Sequence, residues 1–170
     1  MPLVLSSSTG ISTNGSTIAF KPTIEGALNF PNRPMFYAYN PDGLASGVVG
    51  LVFPFNLTRI NVGNCYNTTT YRFTAPSNGT YEFYASALFR FQGSSSNGEI
   101  AFYKNGANVG TRGQAYCVNN ITNGHTHNHT HMILDLVTGD YVDFRIWARN
   151  GGCDYYYGQN LAYFCGKQIG

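Results

Sequence analysis

Charge is what this chain has least of. Its 170 residues carry ten Lys and Arg against eight Asp and Glu, 11% charged in all, where an average soluble protein has about 25%. A net charge of +2, spread along the chain, is too weak for a nucleic-acid binder, which needs a concentrated basic patch. Long apolar runs are absent too. None approaches the roughly 18 residues of a membrane helix, so no insertion into a membrane by a helix is expected. The opening MPLVLSSSTG lacks a basic n-region and has a short apolar stretch, so the reading is a chain without a secretory leader. Helical periodicity is missing over even ten positions. There is no Gly-x-Ser-x-Gly elbow, no P-loop and no His-Glu-x-x-His, and the expectation is a protein that is not an enzyme. What is plentiful is ring and turn: 13 Tyr, 12 Phe and 20 Gly. A disordered chain is poor in aromatics, so most of this one folds.

The four cysteines, Cys65, Cys117, Cys153 and Cys165, form no C-x-x-C pair, which excludes a zinc knuckle or a thioredoxin-type motif. Three disulfide pairings are open to four cysteines. The default expectation is free, buried thiols. Asp135, Asp140, Asp143 and Asp154 offer oxygens to calcium, yet nothing resembles an EF-hand loop, and Asp140 reads as a turn residue. Asn-x-Ser/Thr sequons at Asn14, Asn56, Asn67, Asn78, Asn120 and Asn128 are read as the by-product of a chain rich in those residues.

Residues 1 to about 32 are rich in Ser, Thr, Gly and Asn and bear only Lys21 and Glu25 as charges. This reads as an extended arm that packs on a body, its own or a neighbour's, by docking on a larger particle or by packing within an oligomer. From Pro34 onward the pattern is β. Tyr81, Phe83, Ala85, Ala87, Phe89 and Phe91 fall on one face of a strand, opposite Glu82, Tyr84, Ser86, Leu88 and Arg90. Val142, Phe144, Ile146 and Ala148 oppose Tyr141, Asp143, Arg145 and Trp147 in the same way. Asn105-Gly106 predicts a two-residue hairpin, since a type I′ turn needs positive φ at both positions. Further Asn-Gly pairs begin at 78, 97, 123 and 150 and read as turns. Many short strands with such punctuation predict an all-β antiparallel sandwich or barrel.

All four histidines lie in His125-Thr-His127-Asn-His129-Thr-His131. On a strand this spacing puts every imidazole on one face, about 6.6 to 6.8 Å apart. Met132, Leu134 and Leu136 take the opposite parity and read as inward, so the histidines point away from the core. Imidazoles suit zinc, nickel, cobalt, copper or iron. His125, His127, His129 and His131 are therefore the candidate transition-metal ligands (Zn, Ni, Co or Fe), as a His-x-His pair or as one His from each of several chains. The alternative is a polar or pH-sensitive strand face without metal.

One order of motifs is specific. It runs Met35-Phe36-Tyr37-Ala38-Tyr39, Asn61-Val62-Gly63-Asn64, Tyr66-Asn67, Phe73-Thr74-Ala75-Pro76, Gly79, Tyr81-Glu82-Phe83, then Leu134, Leu136, Gly139-Asp140, Val142 and Tyr163-Phe164-Cys165-Gly166. This resembles the globular head domain of complement component C1q over residues 33–170, with Cys165 as a departure inside the last motif. The resemblance implies a ten-stranded antiparallel jelly roll shared with tumour necrosis factor, assembled as a homotrimer whose inner sheets face the threefold axis. It would put the histidine strand in the sheet that faces neighbouring subunits, and it implies binding by outer loops and crown.

Two functional expectations follow. The first is a structural protein of a phage virion, assembled in the host cytoplasm: a tail-fibre tip, head fibre or capsid decoration. Its head would attach to a host-surface glycan or protein, or stabilise the particle, while residues 1–32 dock to other virion proteins. MPLVLSSSTGIS is similar to the start of phage fibre proteins. The alternative is a secreted C1q-like recognition module for extracellular proteins or glycans.

Overall fold

Period-two alternation of apolar and polar side chains makes strands throughout and, among the described residues, no helix. The structure, a computed structural model, describes residues 11–13, 16–18, 21–22, 28–29, 32–46, 48–92, 96–117, 122–156 and 161–170. The chain divides into two units, Met1–Arg33 and Pro34–Gly170. In the first, β1 (Ile11–Thr13) pairs antiparallel with β2 (Ser16–Ile18), and β3 (Lys21–Pro22) with β4 (Leu28–Asn29). Asn14-Gly15 falls between β1 and β2 and lies outside the described residues.

The second unit opens with β5 (Met35–Tyr39), β6 (Leu44–Ser46), β7 (Leu57–Val62), β8 (Tyr66–Asn67), β9 (Arg72–Thr74) and β10 (Gly79–Gln92). It continues with β11 (Ser96–Lys104), β12 (Ala107–Cys117), β13 (Thr122–Leu136), β14 (Tyr141–Asn150), β15 (Cys153–Tyr156) and β16 (Tyr163–Gln168). A seven-stranded sheet runs β6-β15-β10-β16-β5-β7, with β13 along the other edge of β10. A five-stranded sheet runs β12-β11-β14-β9-β8. All pairings are antiparallel. Strands β7, β5, β16, β10 and β13 against the five of the second sheet make the expected jelly roll. The short β15 and β6 are additions, which extend the first sheet where β16 stops pairing with β10 at Ser86↔Tyr163 and β15 takes over at Leu88↔Tyr156.

The inward faces interdigitate as the alternation requires. Tyr81, Phe83, Ala85, Ala87, Phe89 and Phe91 of β10 are all buried, and so are Val142, Phe144 and Ile146 of β14. Phe164 of β16 sits among rings from both sheets, 4.7 Å from Phe36 in an edge-on contact and 5.7 Å from Phe102. The adjoining Gly166 serves a close approach. A Cβ there would lie 2.5 Å from Phe83 Cδ1 and 2.9 Å from the Glu82 carbonyl oxygen, and the latter cannot swing away. Gly166→Ala is therefore expected to cost about 1–3 kcal/mol in chemical denaturation. No loss would show that β10 and β16 separate freely at this point.

The turns follow the expected chemistry at some Asn-Gly pairs and depart from it at others. Asn105 and Gly106 take φ of 51° and 82° and join β11 to β12 at Lys104↔Ala107. Gly139 has φ 91°, and the adjacent Asp140 carboxylate accepts from the Val137 N–H and pairs with Lys104 at 2.9 Å. The Lys104 ammonium and the Asn105 amide hold that carboxyl down at about 2, so it stays ionised through any mild acid condition. Asn97-Gly98 and Asn123-Gly124, by contrast, are not turns: they lie inside β11 and β13. At Gly98 the reason is steric, because the Phe89 ring packs against the bare backbone where a Cβ would stand.

Candidate functional site

Strand register across the first sheet assembles a surface that no single strand contains. On the side facing away from the core, Tyr84 of β10 is flanked by His131 of β13 and Cys165 of β16, and Cys165 by Tyr37 of β5, itself opposite Ile60 of β7. The next row toward β15 sets His129 beside Ser86, then Tyr163, Tyr39 and Leu57. The row beyond sets His127 beside Leu88 and Tyr156. Tyr37 and Tyr163 stack at 5.4 Å, and the Arg59 guanidinium lies 5.1 Å from the Tyr39 ring. Leu57, Ile60, Tyr84 and Ile133 are large apolar side chains left exposed on this one face, Ile133 at 53%.

All four imidazoles are on that face, as their parity predicts. His125, His127, His129 and His131 are exposed, while the intervening Asn128 and Thr130 are buried. Their surroundings differ. His131 stacks on Tyr84 at 4.3 Å and approaches Glu82 with its Nε2 at 3.3 Å. Glu82 also accepts from the Tyr84 hydroxyl at 2.6 Å and pairs with Lys167 at 3.4 Å. The Tyr84 hydroxyl bond first, then Lys167 and His131, holds this carboxyl below its ordinary value. His125 packs against Tyr156 and stands opposite Arg90, whose guanidinium is bonded to Asp154. His127 and His129 form the middle of the run, their rings 5.8 Å apart and within 15° of parallel. Burial, then His129, lowers the pKa of His127 and favours the neutral imidazole. Its Nδ1 lies 3.5 Å from Ser86 Oγ.

Among the described residues, no three His, Cys, Asp or Glu side chains of one chain come together around an ion. Geometry explains why. Imidazoles two apart on a flat strand run side by side, and His127 and His129 need groups from elsewhere to close a shell. The other candidate donors are occupied or protonated. Asp135 accepts from Thr80 at 2.7 Å, Asp140 pairs with Lys104, Asp143 with Arg72 and Arg145, and Asp154 with Arg90. Cys65, Cys153 and Cys165 are free thiols that burial pushes up to about 11, so each is the protonated thiol at neutral pH. The side chain of Cys117 lies outside the described residues. Of the sequons, Asn128 is sealed in the core with its amide 3.4 Å from the Gly98 carbonyl, and Asn78 accepts two bonds from Thr138.

The alternation on β10 already assigned Glu82 and Tyr84 to the polar face. What sequence reasoning missed is that Lys167, Cys165, Tyr163 and Tyr37 share that face, because their placement comes from pairing between distant segments. The outward face of the second sheet holds a different cluster. Asp143 is fully buried between Arg72 and Arg145, although it stands on the side away from the core. Arg72 lies over the Tyr141 ring at 4.2 Å and Arg145 over Tyr103 at 4.4 Å.

The architecture has counterparts among solved structures. The globular domain of zebrafish complement 1qA protein is similar at 20% identity and a TM-score of 0.62, over 81% of this chain and 98% of that one. An Eiger tumour necrosis factor from S. frugiperda is similar at 10% identity and 0.62, over 82% and 94%. Murine APRIL is similar at 11% identity and 0.56, over 81% and 99%. These likenesses concern the fold. No curated protein matches the chain closely enough to lend it a function. Such heads are generally binding modules, commonly trimeric and not enzymes. Residues 35–167 match the C1q domain, and the chain belongs to that family.

Proposed function

We propose that this protein is a homotrimeric, non-enzymatic binding head, and that it serves as a structural component of a phage virion: a tail-fibre tip, head fibre or capsid decoration. The observation that carries the trimer is the outward face of the first sheet. Leu57, Ile60, Tyr84 and Ile133 stand exposed together there, beside half-buried Tyr37 and Tyr163. A contiguous apolar and aromatic face is the mark of a surface that another body covers. Its position on the sheet that faces the axis in this family makes a second and third copy of the chain the occupants.

The virion assignment rests on lesser supports. The arm, residues 1–32, has almost no charge, and it falls within the separate unit Met1–Arg33 that holds strands β1 to β4. The buried thiols Cys65 and Cys153 stand unpaired, which suits assembly in a reducing cytoplasm. In this reading the arm docks on the particle, and the head's loops meet a host-surface glycan or protein or stabilise the shell.

Light scattering on the eluting protein tests the trimer, with a mass near three times 18.6 kDa expected. Tyr84→Asp, a charge placed on the exposed face, is expected to shift that mass to the monomer while the circular dichroism spectrum stays β-rich. A monomeric wild-type protein would overturn the trimer. Peptide mass spectrometry of purified particles tests the virion role, and a protein secreted in soluble form with glycans on its sequons would favour the recognition-module alternative instead.

A further inference from the structure

We propose that His127 and His129, contributed by the copies that share the outward face of the first sheet, jointly bind a divalent first-row transition ion of the zinc class. The inference rests on the trimer reading, since one chain does not close a coordination shell.

Three observations select this pair from the four histidines. The first is availability. His131 is engaged by Glu82 and the Tyr84 ring, whereas among the described residues no hydrogen bond or ion pair occupies His129. His127 has Ser86 Oγ at its Nδ1, which orients the ring and leaves Nε2 as the outward nitrogen. A second-layer partner on one ring nitrogen is the usual way a ligating imidazole is held.

The second is electrostatic. His125 stands opposite Arg90, which is ion-paired with Asp154, and packs against the Tyr156 ring, so a metal there would compete with groups already in place. His127 and His129 stand opposite Leu88 and Ser86, which carry no charge. The third is position. Among the described residues β13 pairs with β10 alone and so forms one margin of its sheet, and the two histidines lie midway along the exposed run. In a closed cyclic assembly equivalent residues are equidistant from the axis, so a side chain near it meets its own copies. Two side-by-side imidazoles per chain then become up to six nitrogens around a common point. Imidazole nitrogens suit zinc, nickel or cobalt, and neither a thiolate nor a carboxylate is needed.

The experiment uses the full chain, expressed without an affinity tag, stripped with chelator and dialysed. Zn²⁺ alone is then titrated by calorimetry, while light scattering follows the mass at each point. One zinc per trimer is expected, with Co²⁺ giving a visible d–d spectrum whose intensity reports the coordination number. His129→Gln and His127→Gln are expected to abolish zinc uptake with the trimer mass unchanged, whereas His125→Gln retains it. A trimer that takes up no zinc overturns this inference and leaves the trimer standing. A monomer that binds zinc one to one overturns both the shared site and the trimer. Retention of zinc by the His127→Gln/His129→Gln double variant also overturns it.

Discussion

Replacement of Asp143 by alanine is expected to remove about 3–5 kcal/mol of folding stability, as when one partner of a buried ion pair is taken away. The carboxylate has no exposed surface. It accepts from Arg72 Nε at 3.2 Å and from Arg145 Nη2 at 2.8 Å, and Arg145 Nε bonds its other oxygen. Without it, two guanidinium groups remain stacked over Tyr141 and Tyr103 with no counter-charge between them. Arg145 bears the larger part of the loss because its side chain is 17% exposed, against 37% for Arg72. Urea denaturation at a fixed protein concentration is the measurement, since oligomer stability depends on concentration. The double variant Asp143→Leu/Arg145→Met is expected to recover part of the loss, because the more buried guanidinium is then gone and the Arg72 group left without the carboxylate is the more exposed one. A loss below about 1 kcal/mol for Asp143→Ala would mean that solvent reaches both guanidinium groups and that the carboxylate holds no part of the second sheet together.

The second large effect belongs to the core. Phe164→Ala is expected to cost about 3–5 kcal/mol by the same measurement, through lost transfer energy and the cavity left behind. The ring has no exposed surface, and Phe36, Tyr66, Phe83, Phe102 and Phe144 all lie within 4.7 to 6.3 Å of its centroid. These neighbours come from both sheets. A cavity here therefore cannot close by the movement of one side chain. Phe164→Leu, which keeps most of the volume, is expected to cost less than half as much. Equal losses for the two variants would point to a requirement for the ring itself, not for its bulk.

Legibility differed sharply between strand faces and strand partners. The inward set of β10, the parity of the histidines and the hairpin at Asn105-Gly106 were all readable, because each depends on residues a few positions apart. Asn97-Gly98 and Asn123-Gly124 were misread as turns because an Asn-Gly pair reports only what the backbone tolerates. At Gly98 the tolerated freedom serves instead to let Phe89 lie flat against β11. Asp143 is a further case. Alternation assigned it to the polar side correctly, but it is completely buried between Arg145, two positions on, and Arg72, 71 positions away in the chain.

The scarcity of charge can be read in the same way. Eight acids and ten bases are few, and within the second unit the structure spends most of the acids on ion pairs: Glu82, Asp140, Asp143 and Asp154 each meet a Lys or Arg. The sequence by itself determined that the chain is all-β, that its rings supply a core, and that four imidazoles share one strand face. Only the tertiary structure decided that Tyr37, Tyr163, Cys165 and Lys167 join those imidazoles in one surface, and that His131 meets Glu82 and Tyr84 while His127 and His129 stack side by side. The physical reason is that side-chain direction follows from a local two-residue period, whereas strand register is a contact between segments as far apart as Met35 and Lys167 and leaves no periodic trace in either.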